Sequence, residues 1–129
     1  MSQDRVIQCV NAALDRKAKD LVILKVKEIS SFTDFFIICS GTSDRQVKAI
    51  ADHVAKKLKT AGILPLGIEG ENGGNWILMD YGDVVIHIFY EPTREFYDIE
   101  RLWSNVPTMA IGDDITEISS LTDEMHHPE

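Results

Sequence analysis

The stretch from Trp76 to Tyr90 constrains the fold of this chain more than any other part of the sequence. Two short apolar runs, rich in β-branched and aromatic residues, lie on either side of Tyr81 and Gly82. Such runs are typical of β-strands, and a glycine followed by an aspartate favours a tight turn, because glycine adopts positive φ without a steric clash. The stretch therefore predicts an antiparallel β-hairpin.

Helical and strand patterns alternate along the rest of the chain. In chain order they predict a helix at 2–17, strands at 21–26 and 34–40, a helix from about 43 to 60, an edge strand at 65–69, the hairpin, and a short helix at 94–102. Strand–helix–strand passages favour parallel neighbours, whereas the hairpin is antiparallel. The predicted fold class is therefore α/β in the mixed α+β sense, with a mixed sheet of roughly five strands and flanking helices.

One domain is expected at residues 1–107, because a chain of 129 residues with 44% hydrophobic content can build a single core. Apolar density falls after this range, and acidic residues accumulate. Residues 108–129 are therefore predicted to form an acidic, mobile tail, in which Ile111, Ile115 and Ile118 would support at most one more helical turn.

The formal net charge is −8, and so acidic a surface repels nucleic-acid phosphates and suits a basic partner protein. Solubility alone is the simpler explanation of the charge. Cys9 and Cys39 lie among apolar neighbours, which predicts buried free thiols and a reducing compartment. The amino-terminal residues lack a signal-peptide pattern, and no apolar run approaches the roughly 20 residues that cross a bilayer. A cytoplasmic protein without membrane contact is therefore expected.

Gly41, Thr42 and Ser43 lie between a strand and a helix, where free backbone N–H groups often bind phosphate. No Walker lysine or GxGxxG pattern accompanies them, so capping of the helix is the favoured interpretation. A nucleotidyltransferase would also need an Asp-x-Asp pair on a strand to hold metal ions, whereas Asp80 and Asp83 straddle a turn. Nucleotide chemistry at this turn is thus the weaker alternative.

His87 alternates with Val85 and Phe89, so its side chain points to the same face as apolar residues. A catalytic histidine needs a partner acid or nucleophile, and no serine or cysteine motif supplies one. A structural or interface role is therefore favoured. His126 and His127 would bind a metal only adventitiously, and no catalytic residue, cofactor or metal site is expected.

Aromatic residues and carboxylates are concentrated in the hairpin and in the segment that follows it. The aromatic residues are Trp76, Tyr81, Tyr90, Phe96, Tyr97 and Trp103, and the carboxylates are Asp80, Asp83, Glu91, Glu95, Asp98 and Glu100. Tryptophan and tyrosine dominate interface hot spots, and a ring of carboxylates favours a basic protein surface. Any single aromatic residue is equally compatible with the core. On a helix with Phe96 and Ile99 facing inward, the residues that point at least partly outward are Tyr97, Asp98 and Glu100.

Four stretches together resemble the ribosomal silencing factor family, also called Iojap-like. They are SFTDFFII at 31–38, SDRQVKAIA at 43–51, WILMDYGDVVIHIF at 76–89 and REFYDIERLW at 94–103. The resemblance extends from about Val6 to Trp103 without a departure inside these stretches, and the tail lies outside it.

The resemblance implies a domain similar to a nucleotidyltransferase fold that lacks the catalytic carboxylates, and a protein that is not an enzyme. It also implies binding to the large ribosomal subunit through its ribosomal protein fourteen, on the face where the small subunit docks. Such binding would block subunit association and repress translation under nutrient limitation, with little direct contact to nucleic acid. Free members of this family can form homodimers.

We expect the contact with the partner to be formed largely by Trp76, Leu78, Asp80, Tyr81, Tyr97, Asp98 and Glu100. Loss of the Trp76 ring is expected to release the protein from the subunit and to leave it folded. Two alternatives stay open: a nucleotidyltransferase-like enzyme with a site near Gly41–Ser43, and a dimerising adaptor with another partner.

Overall fold

The structure is a computed structural model that describes residues 2–121. One mixed sheet contains six strands: β1 (Lys19–Lys25), β2 (Phe35–Gly41), β3 (Gly67–Glu69), β4 (Trp76–Asp80), β5 (Val84–Tyr90) and β6 (Thr108–Ile111). Their order across the sheet is β3-β4-β5-β2-β1-β6, in which β2 and β5 run parallel and the other neighbours are antiparallel. The predicted hairpin is confirmed as β4 and β5, with Gly82 at a φ of 89° in its turn. The predicted α/β class with a mixed sheet is confirmed as well.

Three α-helices and one 3-10 helix accompany the sheet. They are α1 (Ser2–Asp15), α2 (Asp44–Thr60), α3 (Glu91–Tyr97) and the 3-10 helix at Ile99–Trp103. Across residues 2–121, the structure contains no helix with the length and apolar content that a bilayer-spanning segment needs.

A larger core lies between the sheet and the helices α1 and α2. α2 contributes its apolar stripe, which consists of Val47, Ile50, Ala51, Val54 and Leu58. Cys9 and Cys39 are buried in this core as free thiols, as predicted. Burial raises the pKa of both thiols to about 12, so neither is a reactive thiolate at neutral pH.

A smaller core lies on the opposite face of the sheet. Its buried residues are Leu24, Val26, Ile38, Phe89 and Val106. Half-buried side chains that pack against it include Trp76, Ile99 and Trp103. α3 and the 3-10 helix lie over part of this face, and neither contains a fully buried residue. The part of the sheet that they leave uncovered positions the site described below.

The sixth strand corrects two predictions. The sheet has six strands rather than about five, because β6 pairs with β1 in antiparallel register. The compact part of the chain therefore continues beyond residue 107, and Met109 and Ile111 are buried in the larger core. The strand was missed because it has only four residues, too few for a clear alternation of buried and exposed side chains, and an acidic segment follows it directly.

Part of the predicted tail is held on α1. Residues 112–121 do not form the additional helical turn that their isoleucines suggested. Ile118 instead packs against the larger core, and its backbone N–H and C=O bond to the Asn11 side chain at 2.8 and 3.0 Å. His126 and His127 lie outside the described residues.

α3 begins earlier than predicted, at Glu91, with Pro92 in its first turn, where a missing N–H costs no helical hydrogen bond. The helix ends at Tyr97. Its C-cap, Asp98, has a left-handed backbone with φ of 46° and ψ of 49°, a conformation that aspartate tolerates better than most residues. Phe96 and Ile99 lie on opposite sides of this break, so helical spacing does not place them on one face. Phe96 is 80% exposed, and the prediction that it faces inward is wrong.

Candidate partner-binding face

The face of the sheet opposite α1 and α2 presents alternating residues of the hairpin. In β4, Ile77 and Met79 point into the larger core, so the residues on either side of them point the other way. The antiparallel register pairs these residues with β5 as Trp76↔Phe89, Leu78↔His87 and Asp80↔Val85. Phe36 of β2 lies beside Val85 and completes the patch. We call this patch the open face: Phe36, Trp76, Leu78, Asp80, Val85 and His87.

The Trp76 ring joins the open face to α3. Its centroid lies 4.8 Å from that of Phe89 and 5.0 Å from that of Tyr97. Its Nε1–H donates to Nδ1 of His87 at 3.1 Å. The half-buried ring therefore supports the smaller core and also leaves part of its surface available to a partner.

His87 is buried, with 6% of its surface exposed, among the rings of Phe36, Trp76 and Phe89. Because Nδ1 accepts from Trp76, the imidazole is neutral and its proton is on Nε2. Burial lowers the pKa of His87 from 6.5 to about 4, which agrees with a neutral ring at physiological pH. The prediction that His87 shares a face with Val85 is confirmed by the register of the hairpin.

The depressed pKa of His87 makes stability depend on pH. The unfolded chain binds a proton at His87 below about pH 6.5, whereas the folded protein does so only near pH 4. The contribution of His87 to the free energy of unfolding is therefore complete above about pH 6.5 and is lost as the pH falls from 6.5 toward 4. We expect His87 to contribute a loss of up to about 1.4 kcal/mol per pH unit in urea unfolding between roughly pH 6.5 and 5. His87→Asn should lack this part of the slope, and an unchanged slope in that variant would refute the assignment.

Two depressions meet at the Trp76–His87 pair. His87 lines the first, which has a volume of about 440 Å³. Its other walls include Phe36, Leu78, Val85, Trp103 and the carboxylates of Glu69 and Asp80. Trp76 lines the second, of about 520 Å³, together with side chains of α3 and the loop before β4. Both are shallow and open to the outside, so they suit the side chains of a protein partner.

α3 adds exposed aromatic and acidic side chains beside the open face. Tyr97 is 53% exposed, and Phe96 packs edge to face against it, with 5.0 Å between ring centroids. Glu95 and Asp98 are exposed next to them, and Leu102 of the 3-10 helix is exposed as well. Large apolar groups ringed by carboxylates are typical of surfaces that bind proteins.

Arg94 fixes the position of this helical segment. Its guanidinium donates to both carboxylate oxygens of Glu100, at 2.9 and 3.1 Å, and to Oγ of Ser40 at 2.8 Å. The Arg94 side chain is 11% exposed. Bidentate pairs of this kind are among the stronger hydrogen bonds in proteins. Glu100, which was predicted to contact the partner, is therefore engaged by Arg94 within the protein.

Most of the predicted contact residues lie close together. Trp76, Leu78 and Asp80 are on the open face, and the ring of Tyr97 packs at a tilt against that of Trp76. Asp98 is exposed at the end of α3, where it forms a surface ion pair. The structure thus brings these side chains to one side of the sheet, and their contact with a partner stays a prediction.

Tyr81 is the exception among the predicted contacts. It is 3% exposed and belongs to the larger core, on the other side of the sheet. It follows β4 in phase with Ile77 and Met79, so the strand alternation directs its side chain toward the helices. The Tyr81 carbonyl oxygen and the Asp83 carboxylate both accept from Arg5 of α1, at 3.0 and 2.7 Å. The assignment of Tyr81 to the contact is therefore wrong.

Two phenylalanines of this surface were missed in the sequence. Phe32 is 92% exposed and lines the first depression together with Phe36. Phe36 contacts Trp103 edge to face, with 4.9 Å between ring centroids. The strand alternation of Phe36 with Ile38 was a usable signal for Phe36. No local pattern distinguishes an exposed phenylalanine such as Phe32, in a connection between strands, from a buried one.

The Gly41–Ser43 turn is a helix cap, as the favoured interpretation predicted. Oγ of Ser43 accepts from the backbone N–H of Gln46 at 3.1 Å. The Gln46 side chain in turn accepts from the backbone N–H of Thr42 at 2.7 Å. Two of the donors that a phosphate group would need are thus already used, and the turn gives no support to nucleotide binding.

Comparisons with known proteins agree on one family. A family model described as "Ribosomal silencing factor during starvation" matches residues 1–129. A ribosomal silencing factor from Halalkalibacterium halodurans is 42% identical over 112 residues, which cover 86% of this chain and 96% of that protein. A crystal structure of a protein from Chromobacterium violaceum superposes with a TM-score of 0.77 at 38% identity, over 88% of this chain and 95% of that chain.

A more distant relative also concerns the ribosome. The mouse protein named "Mitochondrial assembly of ribosomal large subunit protein 1" is 31% identical over 116 residues, which cover 88% of this chain and 50% of that protein. None of the relatives described here tests the likeness to a nucleotidyltransferase fold, which stays a prediction.

Proposed function

Because the chain belongs to the family of ribosomal silencing factors, we propose that it binds the large ribosomal subunit and prevents the small subunit from joining it. The proposed contact is ribosomal protein fourteen, and the proposed result is repression of translation under nutrient limitation. The family name describes a regulator and not an enzyme. The mouse relative, whose name refers to assembly of the ribosomal large subunit, supports that subunit as the partner.

The observation that carries this proposal is the open face with the exposed rings of Phe96 and Tyr97 beside it. α1 and α2 cover one face of the sheet, whereas the open face on the other side presents two depressions and a line of apolar side chains. Exposed apolar patches that are rimmed by polar groups mark binding surfaces. Aromatic rings contribute most to such contacts, because they bury a large area at a small entropic cost.

The charge of this surface favours a basic protein. Glu69, Asp80 and Glu95 lie in or beside the patch, and neither depression is lined by a lysine or an arginine. Asp98 is also close, but it is paired with the exposed Arg101. Carboxylates attract a basic surface over several ångströms and repel the phosphates of nucleic acid. Contact with ribosomal RNA is therefore proposed to be small.

The proposed mechanism needs no chemistry. A protein of 14.5 kDa that occupies a site where the two subunits meet would exclude the small subunit by its volume alone. Such a block is reversible, and its extent follows the fraction of large subunits that carry the protein.

Co-sedimentation with separated ribosomal subunits tests the binding step. We expect the protein to migrate with the large subunit alone, and Tyr97→Ala to weaken binding by about 2 kcal/mol, roughly thirtyfold, because Tyr97 is an exposed aromatic anchor. Leu64→Ala removes an exposed apolar side chain outside the open face and should bind normally, which makes it the matched control. Migration with the small subunit, or with neither subunit, would overturn the proposal.

Homodimer formation by the free protein is a further proposal, and it would bury the same exposed apolar side chains. A dimerising adaptor for another partner would use the same side chains. It would not sediment with the large subunit, and the co-sedimentation experiment therefore separates it from the silencing function. We place the protein in the cytoplasm, where it would meet the large subunit. The nucleotidyltransferase alternative has no supporting observation at the capped turn.

A further inference from the structure

One polar atom of the open face has no partner within the described part of the chain. Nε2 of His87 is buried, and no residue from 2 to 121 forms a hydrogen bond with it. The other ring nitrogen accepts from Nε1 of Trp76, which fixes the proton on Nε2 and makes that atom a donor. A buried donor without an acceptor is unfavourable, so a partner that supplies an acceptor removes the penalty.

The depression beside His87 determines which acceptor fits. Phe36, Leu78 and Val85 form apolar walls, whereas Glu69 and Asp80 contribute carboxylates. No lysine or arginine lines this depression. An anion would meet the carboxylates without a compensating cation, which disfavours phosphate and carboxylate groups as acceptors. A neutral carbonyl oxygen accepts the hydrogen bond from Nε2–H of His87 and is not repelled by the carboxylates of Glu69 and Asp80.

We propose that His87 is a specificity-determining residue, whose Nε2–H donates to an amide carbonyl oxygen of the bound protein partner. The same segment of the partner places a basic side chain against Asp80 and Glu69. One oxygen of Asp80 accepts from the N–H of Gly82 at 2.8 Å, so the basic group meets the second oxygen. This inference rests on the proposed function and adds the chemistry of the segment that the open face selects.

Access of a partner to this donor requires a movement of the side chains around it. Nε2 of His87 has no exposed surface, so an aromatic neighbour must move before a carbonyl oxygen reaches it. Trp103 lines the same depression and ends a 3-10 helix that contains no buried residue. The Trp103 ring contacts Phe36, which in turn packs edge to face against His87, and it belongs to the smaller core and not to the larger one.

Two substitutions separate the two hydrogen bonds of His87. In His87→Asn the side-chain oxygen lies near the position of Nδ1, so the acceptor for Trp76 is kept and the Nε2 donor is lost. In His87→Gln the amide nitrogen reaches the position of Nε2, so the donor is kept. With purified large subunits as the probe, we expect His87→Asn to bind about tenfold more weakly and His87→Gln to bind within about threefold of the unaltered protein.

Equal binding by His87→Asn and the unaltered protein would show that His87 does not select the partner, and the proposed function would stand without this inference. Failure of the unaltered protein to bind large subunits would instead remove both proposals.

A second measurement does not require the variants to fold. Nitrogen-15 NMR of the His87 ring, with isolated ribosomal protein fourteen as the probe, reports the Nε2 proton directly. We expect this proton to exchange with water more slowly in the complex, because it is held by a carbonyl oxygen. Unchanged exchange in a complex that has formed would overturn the inference.

Discussion

Replacement of Trp76 by alanine is expected to lower the free energy of unfolding by about 3 kcal/mol, at the lower end of the range for aromatic-to-alanine changes in cores. The ring packs against Phe89 and Tyr97, and its N–H bonds to His87. Its removal leaves a cavity and deprives a second nitrogen of His87 of its partner. Binding to the large subunit should be lost as well, because Tyr97 loses the ring against which it packs. Urea unfolding and co-sedimentation measure the two effects.

The sequence alone suggested that the protein stays folded without the Trp76 ring, whereas the structure places the ring against the smaller core. Trp76→Phe is the matched control, because it keeps an aromatic ring and loses the N–H. We expect this control to cost about 1 kcal/mol, the typical net contribution of one hydrogen bond. An unfolding free energy unchanged in Trp76→Ala would show that the ring serves only as a contact.

We expect Arg94→Met to cost about 3 kcal/mol of stability, because it leaves a partly buried carboxylate without its partner. The lower end of the range applies, since the Glu100 side chain is 33% exposed. The variant also removes the bond to Ser40 that ties the helical segment to β2. Tyr97 is then no longer held against Trp76, so binding to the large subunit should weaken too. Thermal and urea unfolding give the stability loss, and co-sedimentation gives the binding.

Arg101→Met is the matched control for Arg94→Met. Arg101 also pairs with a carboxylate, that of Asp98 at 3.3 Å, but the two side chains are 81% and 51% exposed. Exposed ion pairs contribute little, so we expect a change within about 0.5 kcal/mol. A comparable loss of stability in both variants would show that the charge of the segment matters more than the bidentate pair of Arg94.

Local patterns made much of this fold predictable. The hairpin was recognisable because two β-rich runs flank a glycine turn, and α2 because its apolar stripe follows a capping serine. The alternation along the second strand of the hairpin placed His87 on the same face as Val85, and both lie on the open face. These features depend on residues close in sequence, where spacing and propensity act together.

Long-range pairing accounts for what the sequence did not show. β6 becomes a strand by pairing with β1, which lies far away in the chain, so its four residues carry no sufficient signal of their own. The bond between Arg94 and Ser40 spans 54 residues, so the sequence did not show that Arg94, which also holds Glu100, is tied to β2. Tyr81 is different, because a local pattern was available: it continues the alternation of Ile77 and Met79 for one more position and is buried with them.

Subunit joining tests the central claim most directly. Light scattering follows the formation of joined ribosomes after purified large and small subunits are mixed. We predict that the protein, added to the large subunit before mixing, lowers the joined fraction in proportion to its occupancy, and that Tyr97→Ala restores joining at the same concentration. Normal joining by large subunits that are saturated with the protein would contradict the proposed silencing function, even if binding itself were confirmed.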